Sequence, residues 1–99
     1  MHSVVRIYSG KGAEELFDLL ENRKAEVDQV MRPIQGFISY TLVRTVDGGF
    51  SVSVFEDKKG AEASMKAARD WIKANMPAGT TTNPPEIIDG TVITHLARA

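Results

Sequence analysis

Cysteine is absent from this 99-residue chain. Its absence excludes a disulfide scaffold, a thiolate zinc site and a thiol nucleophile. Neither sign of charge is in excess, since 12 basic residues against 13 acidic ones leave a formal charge of −1. That balance gives no electrostatic footprint for nucleic acid or for an anionic membrane. No apolar run approaches the roughly 20 residues that cross a bilayer. The opening "MHSVVRIYSG" lacks a basic region followed by a long apolar one, so it does not read as a signal peptide, and a cytoplasmic protein is expected. Histidine occurs only as His2 and His95, and with scattered carboxylates it offers no metal-ligand spacing. No metal or other cofactor is expected. Aromatic residues are 7% of the chain, with a single tryptophan, Trp71, in "RDWIKANMP".

Hydrophobic residues make up 42% and charged residues 25%, which suits one globular domain over residues 1–99. "SVVRIYS" (3–9) is β-branched and aromatic, and predicts a strand with Val4 and Tyr8 on one face and Val5 and Ile7 on the other. After "GKG", apolar residues at Leu16, Leu20, Val27 and Met31 predict one helix from Ala13 to about Met31, ended by Pro33. Glu14 and Glu15 favour its first turn through the helix dipole. "GFISYTLVRTV" (36–46) and "FSVSVFE" (50–56) predict a hairpin turning at "DGG" (47–49). A second helix is expected from Lys58 or Lys59 to Met76, with its stripe at Ala61, Met65, Ala68, Ile72 and Met76. "PAGTTTNPP" (77–85) reads as a loop and "EIIDGTVITHLA" (86–97) as a last strand, with Gly90 marking a bulge or close approach. The order β-α-β-β-α-β is the ferredoxin-like α+β arrangement, a four-stranded antiparallel sheet with its helices on one face.

Helices on one side leave the other side of the sheet uncovered, yet both faces look apolar. Phe37 and Val43 are expected to oppose Ile38, Tyr40 and Leu42, while Phe50, Val52 and Val54 oppose Ser51, Ser53 and Phe55. In the last strand Ile87 and Ile93 oppose Ile88, Val92 and Leu96. A large exposed apolar patch marks an interaction surface, so a two-fold homodimer packed sheet to sheet is expected.

The element order, the "GFISYTLVRT" strand, the passage "VSVFEDKKGAEASMKAARDWIKANM" and the apolar C-terminal strand together resemble the dimeric α/β barrel proteins, and among them the antibiotic biosynthesis monooxygenase-like group. The resemblance covers nearly the whole chain. Its marks are an acidic residue after the third strand and the helix pattern formed by Ala68, Trp71 and Asn75. It implies a dimeric α/β barrel joined through the sheets. Some members are cofactor-independent monooxygenases of polycyclic phenols, some degrade haem, and many have no known activity. The haem-degrading branch relies on an asparagine in the first strand and a histidine near the helix tryptophan. This chain has Ile7 and Tyr8 in that strand and no histidine near Trp71. The phenol-oxidising branch implies a set of Trp, Tyr, Asn and Arg around a cavity between sheet and helices, which Trp71, Tyr40, Asn75 and Arg44 could supply.

Other candidates weigh less. "YSGKG" (8–12) lacks the earlier glycine and the following hydroxyl of a nucleotide-binding loop, which leaves a flexible turn with at most weak anion affinity at a helix N-terminus. "GGFSVSVF" (48–55) matches an RNA-stacking strand only at Gly49, Phe50 and Phe55, without a basic groove. His95 is either a general base or an edge histidine. Arg6 and Arg44 lie inside strands and need an anion, either Glu56 or Asp89 or a bound anionic or phenolate ligand. Trp71 aligns with Ala67 and Ala74 at the margin of the helix stripe, where it either fills core or walls a pocket. The first expectation is an oxygenase-like enzyme binding an aromatic small molecule at Tyr40, Arg44, Trp71, Asn75 and His95. The second is a non-catalytic homodimeric binding or stress-associated protein of the same fold.

Overall fold

The computed structural model describes residues 1–98. Strand β1 (His2–Ser9) leads to helices α1 (Ala13–Asn22) and α2 (Lys24–Met31), then to strands β2 (Phe37–Thr45) and β3 (Gly48–Phe55), helix α3 (Lys58–Asn75) and strand β4 (Glu86–Thr91). The four strands form one sheet in the order β2-β3-β1-β4, every neighbour antiparallel. All three helices pack on one face of this α+β sheet, where the buried core gathers Val4, Tyr8, Leu16, Phe17, Leu20 and Phe55.

Two helices replace the single one expected over 13–31. The break falls at Arg23, whose backbone (φ −125°, ψ 32°) closes α1 and opens α2. Neither glycine nor proline marks this break. The Arg23 side chain turns back onto the Glu26 carboxylate and lies over the Trp71 ring, 5.3 Å from its centroid. Asp57 caps α3 by accepting a hydrogen bond from the Gly60 amide at 3.0 Å, which frees one fewer N–H at the helix start.

Strand pairing sets which residues face the helices. Val4, Arg6 and Tyr8 of β1 lie beside Ser53, Ser51 and Gly49 of β3. A register shift between Phe37 and Ser39 turns Phe37 to the same side as Tyr40 and Leu42, instead of the opposite side that strict alternation gives. The hairpin turns at Val46 and Asp47, so Gly48 and Gly49 belong to β3. A Cβ on Gly49 would come within 2.3 Å of the Phe17 ring, so this glycine is what lets α1 settle directly on the sheet. The last strand stops at Thr91, paired with His2, and the expected extension to residue 97 leaves the sheet with Ile93 and Leu96 exposed.

The loop over 77–85 folds across the turn after β1. The Asn83 amide donates to the Lys11 carbonyl at 2.9 Å, and a Cβ on Gly12 (φ 79°) would meet the Thr81 carbonyl at 2.3 Å. The start of α1, read from sequence as a weak anion site, is therefore covered by Thr81 and Thr82. No helix of the described residues is long and apolar enough to cross a membrane.

Candidate functional site

The helix-facing side of β3 is small in its middle. Ser51 and Ser53 stand where neighbouring strands carry Arg6, Val4, Leu42 and Tyr40. The large side chains around Ser51 leave space above it, and an inner cavity of about 30 Å3 remains. Its floor is Arg6, Tyr8, Tyr40, Leu42 and Ser51. Leu20 and Val27 of α1 and α2 close it from above, with Ala68, Trp71 and Ile72 of α3. As it stands the cavity holds little more than water. It adjoins a second, open cleft of about 490 Å3 between the end of α3 and the 77–85 loop, and the two share Arg6, Tyr8 and Ile72.

Arg6 is the charged group at this junction. Its Nη2 donates to the Tyr8 hydroxyl oxygen, and its guanidinium lies over the Tyr8 ring, 5.4 Å from the centroid. Its Nε is buried without a hydrogen-bond partner. Among the described residues no carboxylate pairs with it: Asp89, the partner considered from sequence, is instead bonded to His2 at 2.7 Å. A half-buried guanidinium whose Nε has no acceptor is costly.

The tyrosines beside it respond to the same setting. Burial pushes the Tyr8 phenol above its ordinary value, against the opposing charge and hydrogen bond of Arg6. Burial likewise pushes Tyr40 up, only partly offset by the neighbouring Ser51 side chain and Arg6. Both therefore stay protonated at neutral pH, with their protons available to a ligand. Trp71 is half-buried and forms the cavity wall. Its outer face carries Arg23, whose hydrogen bond to Glu26 holds that carboxyl below its usual range.

Of the residues expected from sequence, the structure brings Tyr40 and Trp71 together at the cavity. Arg44 faces the helices but reaches α1, where it bonds Asp18 at 2.7 Å and Glu21 at 3.3 Å. Asn75 turns its Nδ2 onto the Trp71 carbonyl at 2.8 Å, a bond within its own helix. His95 is exposed, four residues beyond the end of β4 at Thr91. Tyr8 and Ser51 went unnamed as site residues, although the period of two already placed Tyr8 with Val4. Among the described residues no group of three or more His, Asp or Glu could hold a metal ion.

The raised phenols fix a pH response. In the unfolded chain a tyrosine ionises near 10.0, whereas in the fold it keeps its proton to higher pH. The stability this confers is whole below that value and is lost as pH rises through it. Denaturant unfolding followed from about pH 9 to about pH 11 should show stability falling by up to about 1.4 kcal/mol per pH unit for each such tyrosine. Tyr40→Phe should flatten that slope, and an unchanged slope would mean the phenol is not buried as described.

No family model matches the sequence, and no curated protein does. Solved structures do resemble the fold. A protein of unknown function from Nitrosomonas europaea superposes with a TM-score of 0.70 at 20% identity, over 99% of this chain and 93% of that one. The ActVA-Orf6 monooxygenase of Streptomyces coelicolor, in complex with nanaomycin D, gives 0.62 at 19% identity over 99% and 91%. The haem-degrading MhuD of Mycobacterium tuberculosis, with two haems in its active site, gives 0.63 at 16% identity over 97% and 98%. The chain thus has the ferredoxin-like α+β fold that these solved structures share.

Proposed function

We propose that this protein is a cofactor-independent monooxygenase of an aromatic, phenolic small molecule, and that it works as a homodimer. The observation that carries the reading is the inner cavity, walled by Tyr8, Tyr40 and Trp71 over an Arg6 that has no carboxylate. Aromatic walls with a few convergent polar groups describe a small-molecule site. Structures of like fold include a monooxygenase holding a polycyclic ligand, nanaomycin D. Among the described residues no histidine lines the cavity at Trp71, so a phenol suits these residues better than haem.

In this reading the substrate supplies the electrons. A phenolic ring bearing an acidic CH2 loses a proton to give a delocalised anion, which adds O2 at that carbon. Loss of water then turns the CH2 into a carbonyl, so one oxygen atom ends in the quinone and the other in water. Arg6 stabilises the anion as charge builds on the ligand's oxygen. Tyr8, whose oxygen already accepts from Arg6, has its own proton free to donate. Trp71 and Tyr40 hold the ring plane. A ring system requires the cavity walls to move, since the cavity as it stands is far smaller than a polycyclic ligand.

A second reading, ligand binding without turnover, is favoured by one observation: no His, Asp or Glu lines the cavity to take up the proton. Oxygen uptake separates the two. With 1,8-dihydroxyanthrone the protein should consume one O2 per anthrone above the spontaneous rate. Tyr40→Phe and Trp71→Ala should lower kcat/KM by about tenfold or more while the circular dichroism stays native. Binding without any uptake would replace the enzyme by the binding protein.

The dimer rests on the uncovered side of the sheet. There Val5, Ile7, Val43, Phe50, Val52 and Ile88 form adjoining rows across all four strands. A second copy would bury them by a two-fold contact. Sedimentation should give twice the chain mass for the wild type and the chain mass for Phe50→Glu. A wild-type monomer would refute the pairing.

A further inference from the structure

The open cleft beside the cavity has a chemistry of its own. Arg6 forms its inner end, and Arg69 and Lys73 of α3 stand on its rim. Among the described residues no acidic one lines it or the inner cavity. The closest acid on α3, Asp70, is already bonded to Lys66 at 2.7 Å. The remaining wall is the 77–85 loop, with Thr80, Thr82 and Asn83. That wall is held in place by the Asn83–Lys11 backbone bond and by the close packing of Thr81 on Gly12. Among the described residues this preformed hollow is lined by three cations and no carboxylate, with Asp70 near Arg69 and Lys73 but outside the lining, and a buried guanidinium N–H at its inner end lacks an acceptor.

We infer that the cleft receives a carboxylate carried on the aromatic ligand, seated on Arg6 while the ring occupies the cavity at Trp71. This rests on the reading of the cavity as an aromatic site and names the class of substrate, a phenolic aromatic acid. The shared position of Arg6 and Tyr8 in both hollows sets the two groups of the ligand side by side. A planar fork of N–H donors matches a carboxylate in two-point contact. A phosphate fits less well, because the cleft is bordered by Met76 at the C-terminal end of α3, where the helix carbonyls repel a second negative charge. Arg69 and Lys73 on the exposed rim guide the acid inward and contribute less to holding it.

Calorimetric titration of the full chain with 6-hydroxy-2-naphthoic acid and with its methyl ester tests this. The acid should bind about ten- to a hundredfold tighter than the ester, the range expected for a charge-assisted hydrogen bond to a buried group. Arg6→Gln should abolish the difference in affinity between the acid and the ester. The exposed double variant Arg69→Gln, Lys73→Gln, which leaves the sheet untouched, should cost the acid a few-fold and make its binding less sensitive to salt. Equal binding of acid and ester to the wild type would overturn the carboxylate and leave the aromatic cavity standing. Binding of neither would overturn both. Tighter binding of 2-naphthyl phosphate than of the acid would also overturn the assignment.

Discussion

The middle of the sheet is built from small residues on the side that the helices cover. Gly49, Ser51 and Ser53 follow one another along that face of β3. At one end Gly49 admits the Phe17 ring and brings α1 onto the strands. Further along, Ser51 leaves a space between the sheet and the side chains of all three helices. The cavity is the consequence of a close contact at one end of β3 and a shortfall of side-chain volume in its middle. Proteins normally fill such space. Here it is bordered by two raised phenols, an indole and a guanidinium, all groups that gain from a polar, aromatic guest.

Charge follows the same logic. Arg6 and Arg44 occupy equivalent helix-facing positions in two strands, yet their fates differ. Arg44 lies under α1, which brings Asp18 and Glu21 to it. Arg6 lies under the apolar faces of α2 and α3, where only Tyr8 answers it. A cation left thus is a cost to folding that a ligand can offset, and binding energy is then concentrated where the two hollows meet. Leaving the Arg6 charge uncompensated in the free protein is therefore consistent with a site whose counter-charge arrives with the substrate.

Much of this was legible in the residues. Alternation in "SVVRIYS" and the 3.6-residue stripe of "AEASMKAARDWIKANM" fix the strands, α3 and the inward side of Tyr8. The fold class followed from element order alone. The break at Arg23 was not legible, since the apolar spacing from Leu20 to Val27 and Met31 continues in register across it and no glycine or proline intervenes. The bulge at Ile38 reversed Phe37 for the same kind of reason: a single unpaired residue shifts a period of two without changing composition. Arg44, Asn75 and His95 had the right chemistry but depended on distances between elements. Only the three-dimensional packing shows that two of them are spent on bonds within or onto helices and that the third lies past the sheet. Arg6 was visible as a charged residue in a strand, but its lack of a partner is a property of what packs above it.

The most direct measurement uses Trp71, the one tryptophan of the chain. Its fluorescence would be recorded while a hydroxynaphthoquinone, juglone, is titrated in. Quenching should be saturable and reach a plateau, and should be lost in Tyr40→Phe or in a variant that blocks the cavity, Ser51→Leu. Quenching that rises linearly without saturation, unchanged in both variants, would show that Trp71 only fills the core and that no aromatic ligand enters beside it.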